Sequence, residues 1–316
     1  MCTGRRATAP TPLHCRKVVV TQVVEVLVDP FTAAFMQRAL MAGVLAAVTC
    51  SLVGTWVVLR GLTFMGDALA HGVLPGIAVA YLLTGGGGVA TTIGAAVAAV
   101  VMIAGVDLVQ RHSHLPADAG IGLLFIGMLA LGVMIISRGS AYFGDLLGFL
   151  FGAALGTTPR AIAVQAVAAV IALIGVVVFH RAFLALSFDE RKAQGLGLRP
   201  GIARVVLLAL SALAIISSFR TVGNLLVYGL LIAPPATASL LARRVPAMMT
   251  VSVGVGILSV YLGLLGSYHL DLAAGAAMAG VAVAMFFAVL AVTELREAAR
   301  RRPSERRAVP ATPGGS

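Results

Sequence analysis

The sequence predicts an all-α, polytopic transmembrane helical bundle of about eight to ten membrane segments, some of them broken. Of its 316 residues, 59% are hydrophobic and only 11% are charged, and the mean hydropathy is +1.01. A soluble domain is about 45–50% apolar and about 25% charged. Many of the 36 glycines fall inside apolar runs, where small residues let membrane helices approach closely. This composition excludes a water-soluble enzyme and a disordered chain.

Three regions follow from the order of these segments. Residues 1–34 are an N-terminal extension, polar and partly disordered at first, then a short run too brief to cross a bilayer. Residues 35–293 form the transmembrane domain, and residues 294–316 form a basic cytoplasmic tail. The predicted membrane spans are 35–59, 66–84, 89–109, 119–137, 161–179, 202–219, 222–242, 247–266 and 271–293.

The net charge of +11 does not indicate a nucleic-acid partner. Ten of the 23 lysines and arginines lie in the two tails, and most of the others stand singly between apolar runs. Basic flanks around apolar segments are what the positive-inside rule describes. The arginine-rich C-terminal tail is therefore assigned to the cytoplasm. Counting back four spans assigns the charged loop 180–201 to the same side. The side of the N-terminus depends on whether residues 142–156 cross the membrane, which their length and glycine content leave open.

Two irregular pieces are candidates for the inner lining of the bundle. One is the segment 142–156, and the other is the span 222–242, in which Pro234 and Pro235 interrupt helical hydrogen bonding. Irregular backbone is tolerated at membrane depth where it is buried in protein or lines a cavity.

Arg38, Asp107, Arg204 and Asp271 lie near the ends of the predicted spans, where snorkelling or capping explains them, and Asp67 and His71 differ from these four. The i, i+4 spacing of Asp67 and His71 places both on one helix face, about 6 Å apart along the axis. A carboxylate with an imidazole suits manganese, iron or zinc better than calcium or magnesium. The alternative is that Asp67 caps the helix and His71 is a packed polar residue. Gly72, Pro75 and Gly76 follow directly, and their space and kink favour a pathway lining over a tight helix seam.

The loop from Ser187 to Gly195 carries a second signal. Ser187 and Glu190 match a capping box, and the charge order predicts a two-turn polar helix that ends at Gly195. A solvated surface helix and a docking helix for a cytosolic partner both fit this pattern. The docking candidates are Ser187, Phe188, Asp189, Glu190, Arg191, Lys192 and Gly195.

The sequence lacks the motifs that would indicate nucleotide binding or hydrolytic catalysis. Neither of the two lysines, Lys17 and Lys192, lies in a nucleotide-binding loop. No paired catalytic carboxylates and no hydrolase nucleophile motif occur. The chain is therefore expected not to be an enzyme, and ATP-driven transport would need a separate ATPase subunit.

Four stretches resemble the membrane permease subunits of the bacterial ABC-3 family, which are importers of manganese, zinc or iron(II). They are Pro30–Leu40, Gly66–Gly76, Ser187–Gly195 and Val222–Ala238, and the similarity covers roughly residues 30–295. The Gly66–Gly76 stretch is the most specific of the four.

The resemblance implies an ABC-importer-like permease fold in the bacterial plasma membrane. It implies a homodimer or paired permease, two cytosolic ATPases, an external metal-binding protein and no permanently bound cofactor. Asp67 and His71 are then expected to face the metal pathway, and the 187–197 loop is expected to dock the ATPase. Asn224, Pro234 and Pro235 lie in the fourth matching stretch and are further candidates for lining the pathway. The alternative function is a stand-alone ion channel or secondary transporter. The ligand types accept manganese, zinc and iron alike.

Overall fold

The computed structural model describes residues 29–62, 64–84, 88–112, 117–136, 157–188 and 200–305, and its regular structure within these ranges is helical. A short 3₁₀ helix, Asp29–Thr32, precedes the first long helix. The α-helices are α1 (Ala34–Leu59), α2 (Phe64–Gly72), α3 (Leu74–Thr84), α4 (Gly88–His112), α5 (Ala117–Ile136), α6 (Pro159–Val178), α7 (His180–Phe188), α8 (Pro200–Val222), α9 (Asn224–Leu241), α10 (Val245–Leu270) and α11 (Ala274–Glu305).

The nine predicted spans all coincide with apolar helices of the described chain. Seven of these are long and apolar enough to cross a membrane, with α2 and α3 together forming one of them. Two shorter apolar helices, Ala119–Ile135 and Leu226–Leu241, correspond to the fourth and seventh predicted spans. The segment 142–156 lies outside the described residues. The prediction of a multi-segment all-α membrane bundle is confirmed.

Helix α1 lies at the centre of the bundle and packs against α6, α8, α9 and α10. It runs antiparallel to α10. The hydroxyl of Ser51, late in α1, donates a 3.2 Å hydrogen bond to the carbonyl of Ser252, early in α10. Gly43, early in α1, faces Val260, further along α10. Such small residues at the crossing bring the two backbones close together.

Helix α7 and the C-terminal end of α11 lie at the same end of the bundle. Trp56, near the end of α1, contacts the rings of His180 and Phe183 in α7, at centroid distances of 5.2 and 5.5 Å. Gly263, late in α10, packs against Met278, early in α11, so α11 ends where α10 begins. The basic tail and the end of α7 therefore lie at the same end of the bundle. The sequence predicts that both lie in the cytoplasm, and the side of the membrane that this end faces stays a prediction.

The end of α5 and the start of α6, which flank residues 137–156, lie at the opposite end of the bundle. Phe64, which starts α2, contacts Phe125, and Pro75 packs against Gly132 late in α5. Helix α5 therefore runs parallel to α2 and α3, away from Trp56. Helix α6 runs the other way, because α7 follows it directly and contacts Trp56. The described residues that flank this segment therefore lie at one end of the bundle, and Ala34 lies at the end opposite Glu305.

The structure corrects two local predictions. Pro234 and Pro235 lie buried inside α9, which is assigned as one continuous helix from Asn224 to Leu241. Packing against α1, α10 and α11 holds the helix together around the two missing donors. The visible interruption falls instead at Gly223, which adopts a φ of 84° between α8 and α9.

The second correction concerns the predicted N-cap at Ser187. This residue lies in the last turn of α7, and its hydroxyl donates a 2.9 Å hydrogen bond to the carbonyl of Phe183. A serine within a helix satisfies its hydroxyl on the i−4 carbonyl, so it does not accept from a following N–H as a cap does. The remainder of the predicted polar helix, residues 189–195, lies outside the described residues.

Candidate functional site

Asp67 and His71 lie on one face of α2, as their spacing predicted. Nε2 of His71 is 3.5 Å from Oδ1 of Asp67, and the two side chains remain 25% and 30% exposed, respectively. Their neighbours on the helix, Ala68, Leu69 and Ala70, are buried in the core. The polar pair therefore occupies the open side of a helix whose other side is packed.

The position of Asp67 in α2 excludes the alternative that this residue is the N-cap of the helix. Helix α2 begins at Phe64, so Asp67 lies within its first turn and not at the N-cap position. A carboxylate in the first turn is favoured by the partial positive charge of the helix N-terminus. His71 in the last turn meets the opposite end of the dipole. The fold can thus hold this pair without an external ion.

Aromatic rings surround the pair on two sides. The His71 ring meets Phe125 of α5 edge-on, with centroids 5.9 Å apart, and Phe125 also contacts Phe64 at 5.5 Å. On the other side, the Tyr228 ring of α9 packs over Gly66. A Cβ added at Gly66 would lie only 3.2 Å from Cδ2 of Tyr228.

Within the described residues, no group of three or more histidine, cysteine, aspartate or glutamate side chains is placed to hold a metal. Asp67 and His71 therefore supply two such donors within one chain. A carboxylate oxygen and an imidazole nitrogen are ligands for a borderline divalent ion. They fit a transient contact better than a closed structural site, which takes about four ligands in the case of zinc.

Gly72, Pro75 and Gly76 belong to helix seams in this structure. Gly72 packs against Met102, and Pro75 against Gly132. Gly76 faces Gly94 of α4 so tightly that an added Cβ would overlap the carbonyl oxygen of Gly94. Gly76 thus lies in a tight seam with Gly94, and the place of these three residues along a pathway stays a prediction. The spacing of glycines in a sequence does not show whether a neighbouring helix fills the space beside them or leaves it open.

The other lining candidates lie on α9. Asn224 is the first residue of the helix, and its side chain lies outside the described part of the structure. Pro234 and Pro235 are buried, and a Cβ added at Gly54 of α1 would lie 3.1 Å from Cγ of Pro235. The two prolines thus face the central helix in the described structure.

The docking candidates fall at the end of α7. Ser187 and Phe188 are its last two residues, and the candidates from Asp189 to Gly195 lie outside the described residues. Trp56 and Phe183 hold α7 against α1. Both rings are fully buried, so α7 packs directly against the central helix.

Sequence reasoning missed Tyr228 and Phe125 as neighbours of the pair. Tyr228 carried one usable signal, because it is the tyrosine of the apolar 222–242 run. A phenol in such a run needs a polar partner. Phe125 carried none, since a phenylalanine in an apolar helix is ordinarily a packing residue.

Comparison with known proteins gives the same picture over most of the chain. The model of the ABC 3 transport family matches residues 32–293. The manganese transport system membrane protein MntC of Listeria monocytogenes is 35% identical over 253 residues, which are 80% of this chain and 89% of that protein. A probable iron transport system membrane protein of Haemophilus influenzae is 34% identical over 270 residues, covering 85% of this chain and 98% of that protein.

A solved structure is similar as well. It is PsaBC from Streptococcus pneumoniae in complex with Fab, with a TM-score of 0.73 and 28% identity. The match covers 84% of this chain and 95% of the matched chain. Together with the apolar helices and the family match, this likeness shows that the chain belongs to the ABC 3 transport family and is a multi-pass protein of the bacterial inner membrane.

Proposed function

We propose that the chain is the permease subunit of an ATP-driven importer for a divalent transition-metal ion. The observation that carries the proposal is the Asp67–His71 pair, held 3.5 Å apart and partly exposed on a helix that is otherwise packed. Ionisable residues inside membrane segments are costly and usually mark a substrate path. The proposal gives this pair the role of transient ligands.

The ligand chemistry and the relatives narrow the cargo to different degrees. Oxygen and nitrogen donors accept manganese, iron(II) and zinc. The similar proteins from Listeria monocytogenes and Haemophilus influenzae are a manganese and a probable iron transport protein, which favours manganese or iron. The ion is the cargo, and the proposal includes no permanently bound cofactor.

A second copy of the chain would complete the site. Two chains related by a two-fold axis would supply two carboxylates and two imidazoles around one centre. Such a site must stay weak, because an ion that is held too tightly cannot leave. We therefore propose a homodimer, with an extracytoplasmic metal-binding protein delivering the ion.

Energy would come from a separate dimer of cytosolic ATPases. The sequence has no nucleotide-binding loop of its own. The loop that follows Phe188 leaves the bundle at the end marked as cytoplasmic by the basic tail, and it is the proposed docking site. The residues proposed for docking are Ser187, Phe188, Asp189, Glu190, Arg191, Lys192 and Gly195.

The test is uptake of radioactive manganese by cells that carry the complete transporter. Asp67→Asn removes the charge and keeps the shape, and His71→Ala removes the imidazole, so both should abolish uptake or reduce it strongly. Matched controls are Asp271→Asn and His269→Ala at the exposed end of α10. Asp271 has a φ of 51°, and asparagine tolerates that conformation.

Two results would overturn the proposal. Uptake at the wild-type rate in both Asp67→Asn and His71→Ala would place the pathway elsewhere. Uptake that persists without the partner ATPase would favour the stand-alone transporter or channel.

A further inference from the structure

Phe125 of α5 lies against the face of α2 that carries the polar pair. Phe64, at the start of α2, and His71, near its end, are seven residues apart, and such a stretch of helix rises about 10.5 Å. The Phe125 ring contacts both rings edge-on, with its centroid 5.5 Å from that of Phe64 and 5.9 Å from that of His71. It therefore lies between them, alongside the turn of α2 that includes Asp67.

Helix α5 is anchored close to this ring. The side chain of Leu124 packs against Gly105 of α4. At Gly122 the absence of a side chain leaves room for Phe64, whose Cε1 lies 3.8 Å from the position of an added Cβ. The backbone that presents Phe125 to α2 is therefore held by contacts with two other helices.

The His71 imidazole needs such a neighbour, because its other contacts fix its orientation only weakly. Rotation about the bond that joins an imidazole to its Cβ is broad. Nε2 of His71 lies 3.5 Å from Oδ1 of Asp67, which is longer than a charge-assisted hydrogen bond of about 2.7–2.9 Å. Among the residues that the structure describes, no backbone carbonyl accepts a hydrogen bond from this ring. The contact with Phe125 therefore supplies a restraint that the carboxylate does not.

We propose that Phe125 is a positioning residue for His71: its ring holds the imidazole in the orientation in which Nε2 faces Asp67, so that an ion meets both ligands together. This inference rests on the proposed metal pathway and deepens it. A ligating histidine is usually oriented by a hydrogen bond from its second ring nitrogen. Here an edge-on aromatic contact takes that part.

A restraint by packing suits a site that must release its ion. A hydrogen-bond acceptor on the second ring nitrogen would raise the basicity of the imidazole and strengthen metal binding. A phenyl ring fixes the orientation of the ligand without this effect. The ion can therefore meet an oriented ligand and still leave.

The test measures manganese(II) affinity in the purified complete transporter, using the electron paramagnetic resonance signal of the free ion during a titration. Phe125→Leu keeps an apolar side chain and removes the ring, so it should weaken binding by roughly two- to tenfold, the range that an aromatic contact contributes. Phe125→Tyr keeps the ring and should bind as the wild type does. The control is Phe287→Leu, which removes an edge-on contact with Phe286, at a centroid distance of 5.4 Å, on the exposed surface of α11.

A second measurement reports on His71 directly. The electron spin echo of bound manganese(II) is modulated by the nitrogen nucleus of a coordinating imidazole. At saturating manganese this modulation should be present in the wild type, absent in His71→Ala and shallower in Phe125→Leu. In the His71→Ala background, Phe125→Leu should cause no further loss of affinity, because the ligand through which it acts is gone.

Each other outcome has a definite meaning. Unchanged affinity in Phe125→Leu overturns the positioning role, and so does a loss of affinity with wild-type modulation, which would indicate altered packing alone. An equal loss in Phe125→Tyr also overturns it, because the ring is then not the group that matters. If His71→Ala binds manganese as tightly as the wild type, the metal site of the proposed function fails as well. The modulation comes from bound ions only, so it decides the question even in a destabilised variant.

Discussion

Gly76 of α3 and Gly94 of α4 face each other, and a Cβ added to either residue would overlap the carbonyl oxygen of the other. The obstacle is backbone, which cannot swing aside as the end of a flexible side chain can. The two glycines therefore set the distance between these helices. This seam also holds α3, which follows directly on α2, the helix that carries Asp67 and His71.

We expect Gly76→Ala or Gly94→Ala to destabilise the bundle, by about 1–3 kcal/mol if the seam behaves like other overpacked cores. The measurement is the melting temperature of the purified protein in detergent. Gly127→Ala on α5 is the matched control, since nothing lies within 4 Å of its added Cβ. Equal melting temperatures for all three variants would contradict this account of the seam.

Chemical labelling can separate lining residues from packing residues. Single cysteines at positions 67 and 71 should react with a small charged methanethiosulfonate, because both native side chains are partly exposed. Cysteines replacing Pro75 and Pro234, which are buried, should react much more slowly. The background replaces Cys2 and Cys15 and keeps the fully buried Cys50. Fast labelling at position 234 would support the prediction that Pro234 and Pro235 line the pathway.

The contact between Trp56 and Phe183 predicts a coupling defect. Phe183→Leu keeps an apolar side chain but loses the ring that contacts Trp56 at a centroid distance of 5.5 Å. Movements of the ATPase should therefore be transmitted less completely from α7 to α1. We expect more ATP to be hydrolysed per manganese ion transported in proteoliposomes. Arg181→Ala, at an exposed position of the same helix, is the control. An unchanged ratio in Phe183→Leu would exclude this route of coupling.

Residues 189–192 allow a direct test of the docking loop. Replacing all four with alanine removes two acidic and two basic side chains and leaves the membrane helices untouched. We expect ATP hydrolysis to become independent of transport while the permease still purifies as a folded protein. The readout is co-purification of the ATPase together with the uptake rate. Wild-type values for both would remove the docking role from this segment.

The membrane helices were predictable because burial in a bilayer demands long apolar runs, and all nine runs appear as helices. The kink after His71 was also predictable, since α2 ends at Gly72 and α3 begins at Leu74, next to Pro75. The proline pair misled the prediction, because tertiary packing around α9 outweighs the loss of two hydrogen-bond donors. Ser187 misled it too, since a serine matches a cap motif equally well when it ends a helix.

The sequence allowed one part of the candidate site to be predicted, the part that depends on local spacing within one helix. The i, i+4 spacing of Asp67 and His71 is local, so it can be read from one helix. Tyr228 lies 162 positions further along the chain than Gly66, against which its ring packs, and only the fold brings the two together. The glycine that makes room for it, Gly66, looked like part of a local motif.

The positions of Asp29 and Glu305 at opposite faces of the described bundle have a practical consequence for building hybrids. The described chain enters the bundle at one face, near Asp29, and leaves it at the other, at Glu305. If the basic tail faces the cytoplasm, as the sequence predicts, an ATPase domain joined after Glu305 would lie on the side that holds ATP. A metal-capturing domain joined just before Asp29 would then lie at the opposite face of the described bundle.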